Sequence, residues 1–338
     1  MSNQPEIVKL TCGEISALWA TNMNDSVAIC LMKHFIETCS DPDILPFLKK
    51  TYEIAINHKN NVDEIFLKEK IAVPEGFKVE KHVVPNAPKL FSDLFYLQYV
   101  QQMCRFAVAS HLSIFTISAR EDIREMFKSF LDDTSQLYND TVVFMQDKGI
   151  YVPMPTMNYP TEVDYINKDS FLTGWFGRKR PLLAIEATHL VINSIQNEIG
   201  SATCTGFSQV ANEQEIRNYF LHGKHLCKHI LSSIHDMLIE SDVPAGMSWD
   251  QSVTNSTVAP FSDQFMMYVV GVLSNLGIIT YGGGLATTMR RDISAMYAGF
   301  ITKAGNFGED GLNLMIERGW MEQPPKFADR EQLSKGKQ

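Results

Sequence analysis

The chain has no excess of basic residues, no metal-spaced cysteines and almost no period-two alternation, and each absence closes off a class of protein. Its 30 Lys and Arg against 39 Asp and Glu give a net charge of −9. That balance favours solubility and argues against general nucleic-acid binding, which needs a basic face. Arg178-Lys179-Arg180 is a short local exception. Six cysteines (Cys12, Cys30, Cys39, Cys104, Cys204 and Cys227) are scattered with no Cys-x-x-Cys, so they read as free thiols in a reducing cytoplasm. Met1 to Leu10 holds no basic segment followed by an apolar stretch, so no secretory leader is expected. Nothing resembles Gly-x-Ser-x-Gly, which leaves a hydrolase triad unsupported. Gly282-Gly283-Gly284 is followed by no Lys-Ser or Lys-Thr and is not a phosphate loop.

What the chain does have is itself, twice. Phe91-Ser92-Asp93 returns as Phe261-Ser262-Asp263, Arg120-Glu121-Asp122-Ile123 as Arg290-Arg291-Asp292-Ile293, and Lys148-Gly149 as Arg318-Gly319, each 170 residues later. Earlier in each half the offset is 172: Glu14 matches Glu186 and Ile44 matches Ile216. A constant spacing through separate matches marks an internal duplication. With 45% hydrophobic residues in 338, both copies can bury a core.

Helical spacing of apolar residues predicts four long helices per copy. In the first they run from Thr11 to Thr38, from Ile44 to Lys68, from Ser92 to Ile117 and from Glu121 to Gln146. Residues 72–89, with Pro74, Gly76, Pro85 and Pro88, read as a long crossover after the second helix. The fold class expected is all-α: two tandem ferritin-like four-helix bundles. Residues 1–157 form the first, 158–180 an aromatic-rich linker, 181–325 the second and 326–338 a polar tail. Phe171-Leu172-Thr173-Gly174-Trp175-Phe176-Gly177 is expected to pack between the bundles, with ligand stacking as the alternative. The uncharged stretch Gln264 to Met289 could span a bilayer by length. Its counterpart carries Arg105 and His111, so a central bundle helix explains it better.

Chemistry is thinly signalled. A di-iron bundle needs a Glu from each of two helices and Glu-x-x-His from each of the other two. Glu186 and His189 have that spacing, but Ala17 stands in place of the histidine opposite Glu14. Glu53 and His58 lie five apart, about 140° round a helix, and would need a local bulge to converge. His222, His225 and His229 line one helical face and suit zinc, copper or iron, with Glu186, His189 and Glu309 as further candidate ligands. The bland reading is an exposed polar face shared with Lys224 and Lys228.

Gly206-Phe207-Ser208-Gln209-Val210-Ala211, Pro260-Phe261-Ser262-Asp263, Gly319-Trp320-Met321-Glu322-Gln323-Pro324-Pro325 and the aromatic linker motif together resemble a domain-of-unknown-function family of endospore-forming bacteria. That family is similar to spore coat protein F and to tandem ferritin-like bundles. The resemblance implies the bundle fold but no reaction. It also implies a Glu followed five residues later by His on the second helix of each half, matched by Glu53 and His58 but replaced by His225 and Ile230 in the second copy. Two functions are therefore expected as alternatives. One is a spore- or stress-associated structural or interaction protein, cytoplasmic or on the spore, with protein partners or copies of itself and neither nucleic acid nor membrane. The other is a metal-dependent oxidoreductase or metal store holding iron, manganese or zinc.

Overall fold

A computed structural model describes residues 9–175, 179–244 and 252–336. Eight long helices dominate. In the first half these are α1 (Cys12–Thr38), α2 (Leu45–Lys68), α4 (Asp93–Ile117) and α5 (Glu121–Asp147), with a single-turn α3 (Val79–His82) in the crossover. The second half repeats them as α6 (Ala184–Val210), α7 (Gln214–Glu240), α8 (Asp263–Thr287) and α9 (Arg291–Glu317), and α10 (Arg330–Ser334) ends the chain. Among the described residues no strand forms, so the all-α class holds, and the duplicated helices form tandem bundles.

The repeated motif explains its own repetition. Ser92 and Ser262 each accept from the backbone N–H three residues on, capping α4 and α8. Asp93 accepts from the Ser40 N–H at the α1–α2 turn, and Asp263 from the Asn212 and Glu213 N–H groups at the α6–α7 turn. Phe91 and Phe261 are buried in the shared core. Arg120 pairs with Asp122 and Arg290 with Asp292, and Ile123 and Ile293 enter the cores beneath them. Gly149 and Gly319 sit at φ +67° and +65°, the left-handed position after a helix end that glycine adopts with least strain.

The two halves share one apolar core built from α1, α4, α6 and α8, including Leu31, Phe35, Phe95, Phe207 and Phe265. They also clasp each other reciprocally. Val84 N–H donates to Pro260 O at 2.9 Å, and Ser262 N–H to His82 O at 3.0 Å. The counterparts, Thr254 N–H to Leu90 O at 2.9 Å and Ser92 N–H to Ser252 O at 2.8 Å, are the same bonds with the halves exchanged. Each crossover thus pairs with the lead into the third long helix of the other half. That is the geometry of an isologous two-fold interface inside one chain.

The described linker contacts lie with the second half rather than between the halves. Phe171 stacks under the Arg180 guanidinium at 4.2 Å, and Gly174 lies against Asp292. Trp175 is exposed, and Phe176 to Arg178 lie outside the described residues, as do Ala245 and Gly246 of the second crossover. Helix α8 is long and apolar enough to cross a membrane by length and composition. Phe265, Met266, Val269, Val270 and Tyr281 on it are buried in protein. Cys30, Cys104 and Cys204 are buried, and all six thiols are free.

Candidate functional site

Two of the four carboxylates expected to hold metal, Glu14 and Glu186, serve the backbone instead. Glu14 accepts from Thr11 N–H at 2.7 Å and from Arg120 N–H at 2.8 Å, joining the start of α1 to the α4–α5 turn. Its counterpart Glu186 accepts from Leu183 N–H at 2.9 Å, Met289 N–H at 3.0 Å and both terminal nitrogens of Arg180 at 2.8 Å. Burial alone would raise the Glu186 pKa. Hydrogen bonds from Arg180 and the Leu183 and Met289 amides outweigh it and hold the group at about 2.

The histidines fare differently. His222, His225 and His229 are exposed on α7, as is Glu309 on α9. His222 lies edge-on to Phe307, and His229 Nε2 is 2.6 Å from Lys303 Nζ. His189 is half-buried against Gly283 of α8, and its pKa is lowered by burial and by Arg105. Glu53 is exposed whereas His58 is buried. With no bulge in α2, their five-residue spacing sends them to different faces. Among the described residues no three His, Cys, Asp or Glu side chains converge in a metal-binding arrangement. The metal ligand set read from spacing is dispersed.

His58 instead leads to a feature that spacing did not reveal. A cavity of about 240 Å³ opens between α1, α2, α4 and α5 and is closed on one side by Ile199 of α6 and Val269 of α8. Its polar wall includes Asp25, Thr51, His58, His111 and Thr134. His58 stacks on Phe130 with ring centroids 3.8 Å apart, and its Nε2 lies 3.3 Å from Asp133 Oδ2. The His111 ring is 5.5 Å from that of His58. Burial holds both imidazoles toward neutrality, His111 at about 4, and the partial gain from Asp133 does not reverse the direction for His58. Asp25 Oδ2 is buried with no hydrogen-bond partner. Burial pushes its carboxyl well above the usual range, against a weaker opposing effect of Lys59.

The second half shows what closing this space looks like. At the 172 and 170 offsets, Asp25, His58, His111 and Thr134 correspond to Asn197, Ile230, Tyr281 and Ala304. The Tyr281 hydroxyl donates to Asn197 Oδ1 at 2.8 Å. Phe307, counterpart of Leu137, packs down on Gly223, counterpart of Thr51, where a Cβ would stand 2.8 Å from the ring. Only about 50 Å³ is left there. Helix α6 packs on α8 far more extensively than α1 does on α4, and Gly283 of α8 lies directly against His189 of α6.

The comparisons with known proteins fit the duplicated geometry. One family matches residues 2–163 and again residues 170–333, once for each half. The chain belongs to the family described as Protein of unknown function (DUF3231). No curated protein matches the DUF3231 chain. A solved structure from Bacillus halodurans C-125, assigned provisionally as a spore coat protein, is similar at 17% identity and a TM-score of 0.40. It covers 45% of the DUF3231 chain and 98% of its own.

Sequence reasoning missed Asp25 and His111. The signal for them lay in the duplication, because polar residues stand at inward helical positions where the other copy carries Asn197 and Tyr281, a pair that satisfies itself.

Proposed function

We propose that this DUF3231 chain is a spore-associated structural protein that acts through its surfaces and its fold rather than through a reaction. The observation that carries the reading is the use made of Glu14 and Glu186. Both are buried, and both are spent on backbone N–H groups that fasten helix starts to distant turns. Carboxylates engaged in this way have little acceptor capacity left for metal or for proton transfer, Glu186 least of all. The reciprocal clasp supports the same reading, since it devotes two long crossovers to joining the halves. Association with the spore rests on the resemblance carried by the Phe171 to Trp175, Pro260 to Asp263 and Gly319 to Pro325 motifs. The metal-store alternative gains nothing from the exposed positions of Glu53, His225 and Glu309.

The test is fractionation of a sporulating culture of an endospore-forming host producing the epitope-tagged chain. Recovery with the proteins extracted from washed spores is the expected result. Recovery solely from the soluble lysate of vegetative cells would contradict the reading.

A further inference from the structure

The cavity in the first half is a hole with a carboxyl group in its wall, and the other copy of the same fold shows that the hole is avoidable. Apolar cavities that serve nothing tend to be filled, because empty space forfeits packing. Here most of the wall is apolar, with Leu31, Ile54, Met103 and Leu137 among its residues, which suits the body of an apolar molecule. The volume of about 240 Å³ lies just below the roughly 300–1,000 Å³ of pockets for drug-sized ligands, so the occupant is small. The lining runs out to the exposed Asn24 and Ser110, where a ligand can enter.

The polar wall is one-sided. The Thr51 hydroxyl donates to Phe47 O at 2.7 Å and the Thr134 hydroxyl to Phe130 O at 2.7 Å, so both protons are already used. Thr134 Oγ1 therefore acts as acceptor toward His111 Nδ1 at 3.4 Å. That puts the imidazole proton on Nδ1 and makes Nε2 an acceptor. Asp25 adds a carboxylate oxygen with no partner. Gln196 Oε1 is a second buried lining oxygen with no partner, and Asp25 is the one lining side chain able to carry a full negative charge, with no Lys or Arg among the lining residues to meet it.

We propose that the first-half cavity binds a small protonated amine with an apolar body, its ammonium group meeting Asp25 and its body lying against the aliphatic wall. An ammonium supplies donors to the unpartnered oxygens of Asp25 and Gln196, and its positive charge stabilises Asp25 as a carboxylate. A fatty acid would bring a second carboxylate to Asp25, and a neutral alcohol would leave the charge unmet. The second half, with Asn197 at the Asp25 position and Tyr281 across from it, has no such site.

The test uses the full chain and calorimetric titration with n-octylamine, phenethylamine, octanoate and octanol at matched concentration and neutral pH. The amines are expected to bind with one site per chain, at least tenfold more tightly than octanoate or octanol. Asp25→Asn, which copies the residue of the second half, is expected to stay folded and to weaken amine binding at least tenfold. The double variant Asp25→Asn with His111→Tyr rebuilds the Asn197–Tyr281 pair and is expected to abolish binding. The proposal is overturned by amine binding that survives Asp25→Asn unchanged, by octanoate or octanol binding as well as the amines, or by no amine binding to the wild-type chain.

Discussion

Asp25 sits where its counterpart Asn197 accepts from a tyrosine, yet its own Oδ2 meets no donor. A carboxyl whose folded pKa is raised is stabilising only while protonated, so its contribution is lost as pH rises above the unfolded value near 4. Replacing it should help the ligand-free protein at neutral pH. Asp25→Asn is expected to stabilise by about 1–3 kcal/mol, the usual cost of a buried polar group without a partner. Thermal melts at pH 7 would read this as a rise of a few degrees, and a fall would mean that Asp25 has a stabilising partner in solution. Buried histidines act in the opposite sense with pH. His34, packed edge-on against Phe261, and His111 are held by burial at about 4, with a smaller upward effect on His34 from Glu37. The unfolded chain takes up these protons below about 6.5 and the folded chain does not. Stability is therefore lost as pH falls from about 6.5 toward 4, by up to roughly 3 kcal/mol for each. Denaturant midpoints across that window would show the slope, and His34→Phe should flatten part of it.

Glu14 and Glu186 decide how the helices of each half are tied, and they differ in strength. Glu186 gathers two nitrogens of Arg180 as well as backbone donors, whereas Glu14 is held by Thr11 and the Arg120 amide. Truncating Glu186 leaves Arg180 and the Leu183, Met289 and Arg290 amides without their acceptor. Glu186→Ala is expected to cost roughly 3 kcal/mol or more, and Glu14→Ala less, on the order of 2 kcal/mol. Chemical denaturation of the two variants would rank them, and an equal or reversed order would refute the assignment. With Glu186 held at about 2, its contribution is fully present above about 4.5 and disappears as pH falls through 2.

At this scale the sequence was easy to read. Thr11 to Thr38 and Glu121 to Gln146 fall within a residue of α1 and α5, because a Thr11–Glu14 capping box marks the start of α1 and a clear apolar face with Gly149 beyond it marks α5. Glu186 and His189 were misleading because i, i+3 spacing says that two side chains share a face but not which neighbours reach them first. Glu186 was taken by Arg180 and the α8–α9 turn. The distance between α1 and α4 was illegible for a related reason. It depends on which side chains meet between the two helices, and the glycines of the other copy's first helix, Gly200 and Gly206, face Cys227 and Phe91 instead.

Across the whole molecule, the crossovers and the shared core make two halves into one unit. Phe91 lies against Gly206 and His34 against Phe261, so each half contributes to the other's interior. Glu322, from the segment after α9, accepts from the Glu75 and Gly76 N–H groups of the first crossover at 3.1 and 3.2 Å. A two-fold interface of this kind closes on itself, and neither half keeps its apolar face covered without the other. The halves should therefore unfold together. Differential scanning calorimetry of the full chain, with the first half (residues 1–163) alone as comparison, tests this most directly. The account predicts a single transition whose calorimetric and van't Hoff enthalpies agree, and a first half that self-associates or fails to fold. Two separate transitions, with a first half that melts alone as a stable monomer, would contradict it.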